Sequence, residues 1–503
     1  MKKQIKQTVA VAVLGTMIGG AVLLPGQAQA QTPAQPAAQP ISASLGQAPL
    51  LNFTEQIEQA INQLVNQLVL SGYADGQMRA DKQVSNAELL KMVVLSLKLE
   101  PADTEKNNRS RWYTPYVETA VKHGLIENTD QFQPNQPAAA ADAAVMIAKA
   151  LQRDVKSVQY WMNGFGIGGQ TMTRGETAQL LLLSQKAIRS ANAEITSIKA
   201  LNKITLEVTF TSPLVLADEA TDKANANFAF SNNLKLVNQP RLKTGSISTY
   251  IVPVQTMTEG MVYTTNYKGK DQHSVTASSE TIRLNEVRQV TADTFEVDSF
   301  REDGVIDYGY LISAYSGGRG ANAAVLDENN RVNGQPMQVI PSLAQRQATL
   351  TPENGQPITV SYVGFTQSTD GKQEPKFRLP AGTTLQPGVK YTVTSDWFVL
   401  ENNTFTAQAI APLTIASVEK ADSSVLNVTL SEDPGDELFA YRSIQLKGSD
   451  GTTLTAQYKV QTRKGATGVF ELQNNGKLAA GVEYEVVPLG SWAVAAGIQL
   501  AGN

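Results

Sequence analysis

The sequence predicts a multidomain α+β protein, an all-α N-terminal region followed by three all-β sandwich domains. Three observations carry this expectation. Between Phe53 and Arg189 apolar residues recur at helical spacing, and three helix starts align as Ser85-Asn86-Ala87-Glu88, Ala139-Ala140-Ala141-Asp142 and Thr173-Arg174-Gly175-Glu176. After Ala193 short alternating strands and Gly/Pro/Asn turns take over. Within that β region an opening and a closing motif each recur three times, and internal repetition outweighs any single motif.

The first residues carry an address rather than a fold. Lys2, Lys3 and Lys6 precede an apolar run, Val9 to Leu24, which ends at Pro25 and leads to Ala28-Gln29-Ala30. A basic start, a short apolar core and small residues at a cleavage point make residues 1–30 a secretory signal peptide. A membrane anchor fits less well, because the run is short and broken by glycines and a proline. Residues 31–51, rich in Gln, Ala and Pro, read as a flexible linker. No later stretch is long and apolar enough to span a bilayer, so the expected mature chain is secreted, with no membrane span after signal cleavage.

Roughly 470 mature residues fit three to five domains of about 100–150 residues. Removing the three signal-peptide lysines from 42 basic residues leaves 39 against 46 acidic ones, a net charge of −7. That balance argues against nucleic acid as a partner. Cysteine is absent, which excludes a disulfide framework, a thiolate catalyst, a Cys-ligated metal and lipoprotein attachment. Leu379-Pro380-Ala381-Gly382-Thr383 has the wrong order and place for a sorting signal, and Gly497 to Asn503 carries no apolar tail. Any wall attachment is therefore expected to be folded and noncovalent.

The helical region, residues 52–190, divides into three units. In the first, Ile57, Ile61, Leu64, Val65 and Leu68 form one face of an amphipathic helix, stopped by Ser71-Gly72-Tyr73-Ala74-Asp75-Gly76. Ser85 and Glu88 make a capping box for a second helix, whose run Leu89 to Leu99 is apolar almost all round and so buried. The second unit has a helix from Tyr113 to His123 ended by Gly124, the loop Phe132-Gln133-Pro134-Asn135, and a helix from Ala139 to Leu151. Ala139 lacks a capping oxygen, which costs that helix about 1 kcal/mol. The third unit is expected to be shortened: Trp161, a glycine-rich turn from Gly164 to Gly169, and a helix opened by the Thr173/Glu176 capping box, with little room for a full leading helix.

These residues resemble the S-layer homology (SLH) family: a helix, then Gly-Tyr-x-Asp-Gly, then a Thr-Arg-Ala-Glu-like helix start. The resemblance implies three units in a pseudo-threefold assembly, whose grooves hold secondary cell-wall polysaccharide, often pyruvylated, noncovalently. It implies wall-polymer binding by Arg174, with Thr173, Asn86, Tyr73, Trp112 and Trp161 as further contacts. The family's arginine maps onto Arg174 in the third unit, Asn86 in the first and Ala140 in the second. A guanidinium suits a carboxylate or phosphate because it donates two parallel charge-assisted hydrogen bonds. Trp112 and Trp161 read either as core or as platforms for a sugar face; Glu88 and Glu176 read as caps, and Tyr73 and Asp75 as shaping their turn.

In the β region Ile195-x-x-Ile198 is followed eight residues later by Leu206-x-Val208, Leu284-x-x-Val287 likewise by Phe295-x-Val297, and Ile415-x-x-Val418 by Leu426-x-Val428. Alternation places one face of each second segment in a core. The closing motif is Gly260-x-x-Tyr263, Gly388-x-x-Tyr391 and Gly481-x-x-Tyr484, with Leu385 and Leu478 preceding the last two. Opening and closing motifs lie 65, 104 and 66 residues apart, so the middle repeat carries an insertion, placed near 307–342. The expected β-sandwiches are 191–283, 284–412 and 413–503, and they resemble bacterial Ig-like domains. Each closing tyrosine reads as a corner residue.

Catalytic chemistry is sparse. Histidine occurs only at His123, beside a helix end that favours a cation, and at His273 in a polar loop. A hydrolase triad lacks a positioned base. Glu432-Asp433-x-x-Asp436-Glu437 reads as a solvated acidic loop, with calcium binding or glycan hydrolysis as alternatives, and Glu302-Asp303-Gly304 with Asp307 is a weaker version. Gly164 to Gly169 and Gly317 to Gly320 lack a Walker lysine and read as turns. The expected function is that of a non-enzymatic surface-layer protein with no required cofactor. It attaches to the wall of a bacterium, Gram-positive by resemblance, displays its β-domains, and self-associates into a lattice. A wall-attached adhesin using the insertion, or a wall polysaccharide hydrolase, are the alternatives.

Overall fold

A computed structural model describes residues 53–102, 111–130, 132–297, 304–309, 311–312, 324–367, 373–435, 439–460 and 462–502. The signal-peptide and linker readings lie outside these residues.

Six helices build the first region: α1 (Phe53–Asn66), α2 (Asn86–Ser96), α3 (Thr114–Lys122), α4 (Ala140–Leu151), α5 (Val155–Gly164) and α6 (Arg174–Lys186). Odd-numbered helices lead the units and even-numbered helices close them. Both expected capping boxes form, at Ser85/Glu88 and Thr173/Glu176, and Ala139 makes no side-chain cap. The three segments entering α2, α4 and α6 bond in a ring. Val84 N–H donates to Met172 O (2.9 Å), Met172 N–H to Ala138 O (3.1 Å) and Ala138 N–H to Val84 O (2.8 Å). Each following helix then gives its first N–H to a neighbouring unit: Asn86 to Gln136 O, Ala140 to Gln170 O and Arg174 to Lys82 O, all at 2.9 Å. This cyclic pairing satisfies donors that a helix start otherwise leaves without partners.

Two details differ from the sequence reading. Leu68 is 84% exposed. The helix stops before it, Leu68 turns into the left-handed region (φ 62°), and Val69 and Leu70 enter the core instead. The chain reversal thus shifts the apolar face by one residue. The third unit also has a full leading helix: Asp154 caps α5 through Ser157 N–H (2.7 Å), only three residues beyond α4. The missing length is in the connection.

Beyond Ile195 three separate apolar cores follow one another. Their opening strands pair antiparallel in one register: Ile198 faces Val208, Val287 faces Val297 and Val418 faces Val428. A register shift interrupts the pair after Ile195 and again after Ile415, a bulge that bends the strand from one layer to the other. In the second and third repeats the opening strand also pairs in parallel with a late strand, Phe398–Asn402 and Ala493–Val494 respectively. The first repeat is two sheets of four and three strands.

The closing tyrosines are corners in all three repeats. Each buried hydroxyl accepts the backbone N–H five residues upstream: Thr258 to Tyr263 (3.0 Å), Gln386 to Tyr391 (2.9 Å), Ala479 to Tyr484 (2.9 Å). Their glycines hold φ of 71°, 81° and 77°, a region open to glycine at little cost. Tyr391→Phe, which takes the acceptor from the Gln386 N–H, is expected to lower stability by about 1 kcal/mol, measured by denaturant melting.

The insertion is closed at its base by a parallel pair, Val305–Asp307 with Gln338–Ile340. Its apolar residues Ile306, Tyr308, Leu326 and Val339 pack on Ile251 of the first repeat. Val339 O accepts from Asn202 and Thr205 (2.8 and 2.9 Å), and Tyr308 hydroxyl accepts Thr244 N–H (2.8 Å). The described part of the insertion therefore spends its apolar surface on the neighbouring repeat.

Candidate functional site

The ring of helix entries sets three comparable corners, each between one helix start and a neighbouring unit. They differ in what the first helical side chain does. Arg174 reaches back to the first unit's turn, where Nη2 donates to Ser71 O (2.9 Å), Nε to Met78 O (3.0 Å) and Nη1 to Glu88 Oε1 (3.1 Å). Asn86 donates once to the second unit's loop, at Gln133 O (2.9 Å). Ala140 has no polar atom to offer.

The crevice at Arg174 is a cavity of about 230 Å³, lined among others by Tyr73, Glu88, Lys91, Trp112 and Arg174. Its floor follows from the turn. Gly76 (φ 77°) closes Ser71–Gly76, Asp75 pairs with Arg79 (2.6 Å), and that hydrogen bond holds the Asp75 carboxyl below its usual range. Three cations then crowd the Tyr73 ring, with Arg79 and Lys82 both at 4.5 Å and Arg174 at 4.9 Å. The Tyr73 hydroxyl is shielded from water and has no hydrogen-bond partner among the described residues. Trp112 stands at the rim, 57% exposed and edge-on to Tyr113. Gly175 belongs to the same corner: a Cβ there would lie 2.6 Å from Ile57 Cγ2, so α6 can approach α1 only with glycine.

Of the six residues singled out by sequence, three meet here: Tyr73, Trp112 and Arg174. Arg174 is 4% exposed, so its guanidinium fixes the turn as much as it faces the cavity. Thr173 caps α6 and Asn86 serves the next corner. Trp161 does not reach the groove. It is buried with its ring 4.6 Å from the Arg153 guanidinium. Sequence reasoning misses Arg79, Lys82 and Lys91; only the folded turn brings Arg79 and Lys82 onto the Tyr73 ring and Lys91 into the cavity lining. Glu88 caps α2 with one oxygen and receives Arg174 with the other. His123 Nε2 lies 2.9 Å from Glu100 O.

The acidic loop does not form a described metal centre. Asp433 accepts from Arg463 (2.7 Å), while Asp436 and Glu437, like Glu302 and Asp303, lie outside the described residues. Among the described residues no group of three or more His, Asp or Glu is placed to hold a metal, and no helix is long and apolar enough to cross a membrane.

Residues 107–144, which contain α3 and the start of α4, match the S-layer homology domain family. The chain is 24% identical over 237 residues to the S-layer protein sap of Bacillus anthracis, and 24% identical over 238 residues to an S-layer protein of Bacillus thuringiensis subsp. finitimus. Each match takes in 40% of this chain and 29% of the relative's length. Among solved structures, surface layer protein SbsC, domains 1–6, aligns with 89% of this chain and 74% of that one at 12% identity, with a TM-score of 0.15. Residues 107–144 are therefore similar to an S-layer homology domain, and two-fifths of the chain is similar in sequence to bacterial S-layer proteins, of whose length it spans under a third.

Proposed function

We propose that this chain is a secreted, non-enzymatic S-layer-type protein of the bacterial surface. It is held noncovalently on secondary cell-wall polymer by the Tyr73–Trp112–Arg174 groove, and it displays the β repeats outward. The observation that carries the reading is the cavity itself: Lys91 and Arg174 in its lining, a Tyr73 ring with a shielded hydroxyl that has no partner among the described residues, and an exposed tryptophan at the rim. Guanidinium and ammonium groups suit an anionic substituent on a sugar, and an exposed indole suits the apolar face of the ring. The helix starts at Asn86 and Ala140 lack the equivalent arginine, which concentrates binding at one groove. The relatives' S-layer names support self-association of the β array.

Retention of the full chain on purified wall sacculi, before and after the secondary polymer is stripped, tests this. Trp112→Ala is expected to weaken retention about tenfold with an unchanged melting temperature. Arg174→Ala should weaken retention and also lower stability, by about 2–3 kcal/mol, because Glu88 and two carbonyls lose their donor. Equal retention on stripped walls would refute the anchoring role. Electron microscopy of concentrated protein checks lattice formation, and persistent monomers would count against it.

A further inference from the structure

A second cavity, about 630 Å³, lies where α4, the short helix Leu216–Glu219 and the strand Arg241–Leu242 meet. Its charged wall is Lys149, Arg153, Arg189 and Arg241 against Asp154 and Glu219, in a chain that is acidic as a whole. Both acids are already engaged. Glu219 accepts from Arg189 (2.5 Å) and the Tyr250 hydroxyl (2.8 Å), and Asp154 caps α5 through Ser157.

Arg241 has no such counterpart. The side-chain amide of Gln239 lies against its guanidinium and, with the amide oxygen turned toward it, accepts at 3.2 and 3.3 Å; among the described residues no carboxylate lies within ion-pair distance of Arg241. Asp307 and Glu219 act on it only from farther off, and burial lowers its pKa. The Nε atoms of Arg153 and Arg189 are also shielded from water without a hydrogen-bond partner. A part-buried cation without a carboxylate is costly, and an anion entering the cavity would remove that cost. Leu216, Pro240 and Leu242 offer an apolar wall beside it, the usual make-up of a small-molecule site.

We propose that this cavity binds a small organic anion, its carboxylate or phosphate held by the Arg241 guanidinium and its uncharged body lying on Leu216, Pro240 and Leu242. The site is separate from the Tyr73 groove and does not depend on wall anchoring. Titration calorimetry of the full chain with inorganic phosphate, benzoate and benzamide tests it. Phosphate or benzoate is expected to bind saturably and benzamide not at all. Stronger binding of benzoate assigns a carboxylate on an apolar body, and stronger binding of phosphate assigns a phosphate. Arg241→Gln should weaken the bound anion at least about tenfold, whereas Tyr73→Ala should leave it unchanged. Leu216→Trp narrows the mouth from an exposed position and should weaken benzoate without lowering the melting temperature. Absence of saturable binding, equal binding of benzamide, or affinity unaltered by both Arg241→Gln and Leu216→Trp would overturn the assignment.

Discussion

Arg153→Ala is expected to uncouple the helical region from the β array, splitting a shared thermal transition in calorimetry into two. Arg153 follows α4 directly, yet its guanidinium donates to four carbonyls of the first β repeat: Ser246 O (2.8 Å), Thr244 O (3.1 Å), and Lys243 O and Ile247 O (both 3.3 Å). Behind it lies the Trp161 ring at 4.6 Å. Burial brings the Arg153 pKa down to about 10, so the group remains cationic at neutral pH. The loop it holds is gripped from the other side by the insertion, since Thr244 Oγ1 accepts Leu326 N–H (2.9 Å) and Lys243 Nζ donates to Glu328 O (2.9 Å). One side chain therefore ties three parts of the chain. Its removal leaves several buried carbonyls without donors, a loss of about 3–5 kcal/mol at the joint. Arg153→Lys should restore little, because one ammonium cannot span the same carbonyls. A single unchanged transition in Arg153→Ala would show that the apolar contacts alone join the two regions.

Asp293→Asn is expected to loosen the second β repeat from the third, and to flatten the response of that joint to acid. Arg442 donates to both Asp293 oxygens, at 2.6 and 2.9 Å, across 149 residues of sequence. Burial works against the carboxylate, but the Arg442 hydrogen bonds and charge prevail and take its pKa from 3.8 to about 2. A depressed carboxylate pKa stabilises the fold above the unfolded value of 3.8, and that contribution is lost as pH falls through about 2. The shift corresponds to about 2 kcal/mol. Wild-type stability should therefore decline between pH 4 and pH 2, and Asp293→Asn should show a smaller decline from a lower starting point. At neutral pH the substitution should cost about 3 kcal/mol, since it leaves the Arg442 guanidinium, 5.7 Å from the Trp492 ring, without its carboxylate. Parallel acid profiles for the two proteins would assign the acid sensitivity to other groups.

Local features were readable wherever chemistry is short-range. The capping boxes at Ser85 and Thr173 need only a hydroxyl and a carboxylate three residues apart, and both formed. The opening motifs set one strand register in three repeats because alternation admits one buried face, and a one-residue slip would turn it to water. The glycine and tyrosine of each closing motif likewise produced the same corner three times. Where the chain reverses without glycine, as at Leu68, periodicity pointed to the wrong residue, because a non-glycine left-handed turn leaves no mark in composition.

By itself the sequence carried the order of the parts: a helical region with three related helix starts, then a β region in which an opening and a closing motif each recur three times. Spacing and alternation are enough for that, since they depend on neighbours within a few residues. Only the tertiary structure decided which of the sequence-selected residues meet. It gathered Tyr73, Trp112 and Arg174 about one cavity, sent Trp161 to the joint beneath Arg153, and set Arg241 on the wall of a second cavity with no carboxylate within ion-pair distance among the described residues. The physical reason is separation along the chain. Arg174 meets Ser71 across 103 residues and Arg153 meets Ser246 across 93, so partners, burial and charge balance exist only once the backbone ring and the interdomain joints have closed.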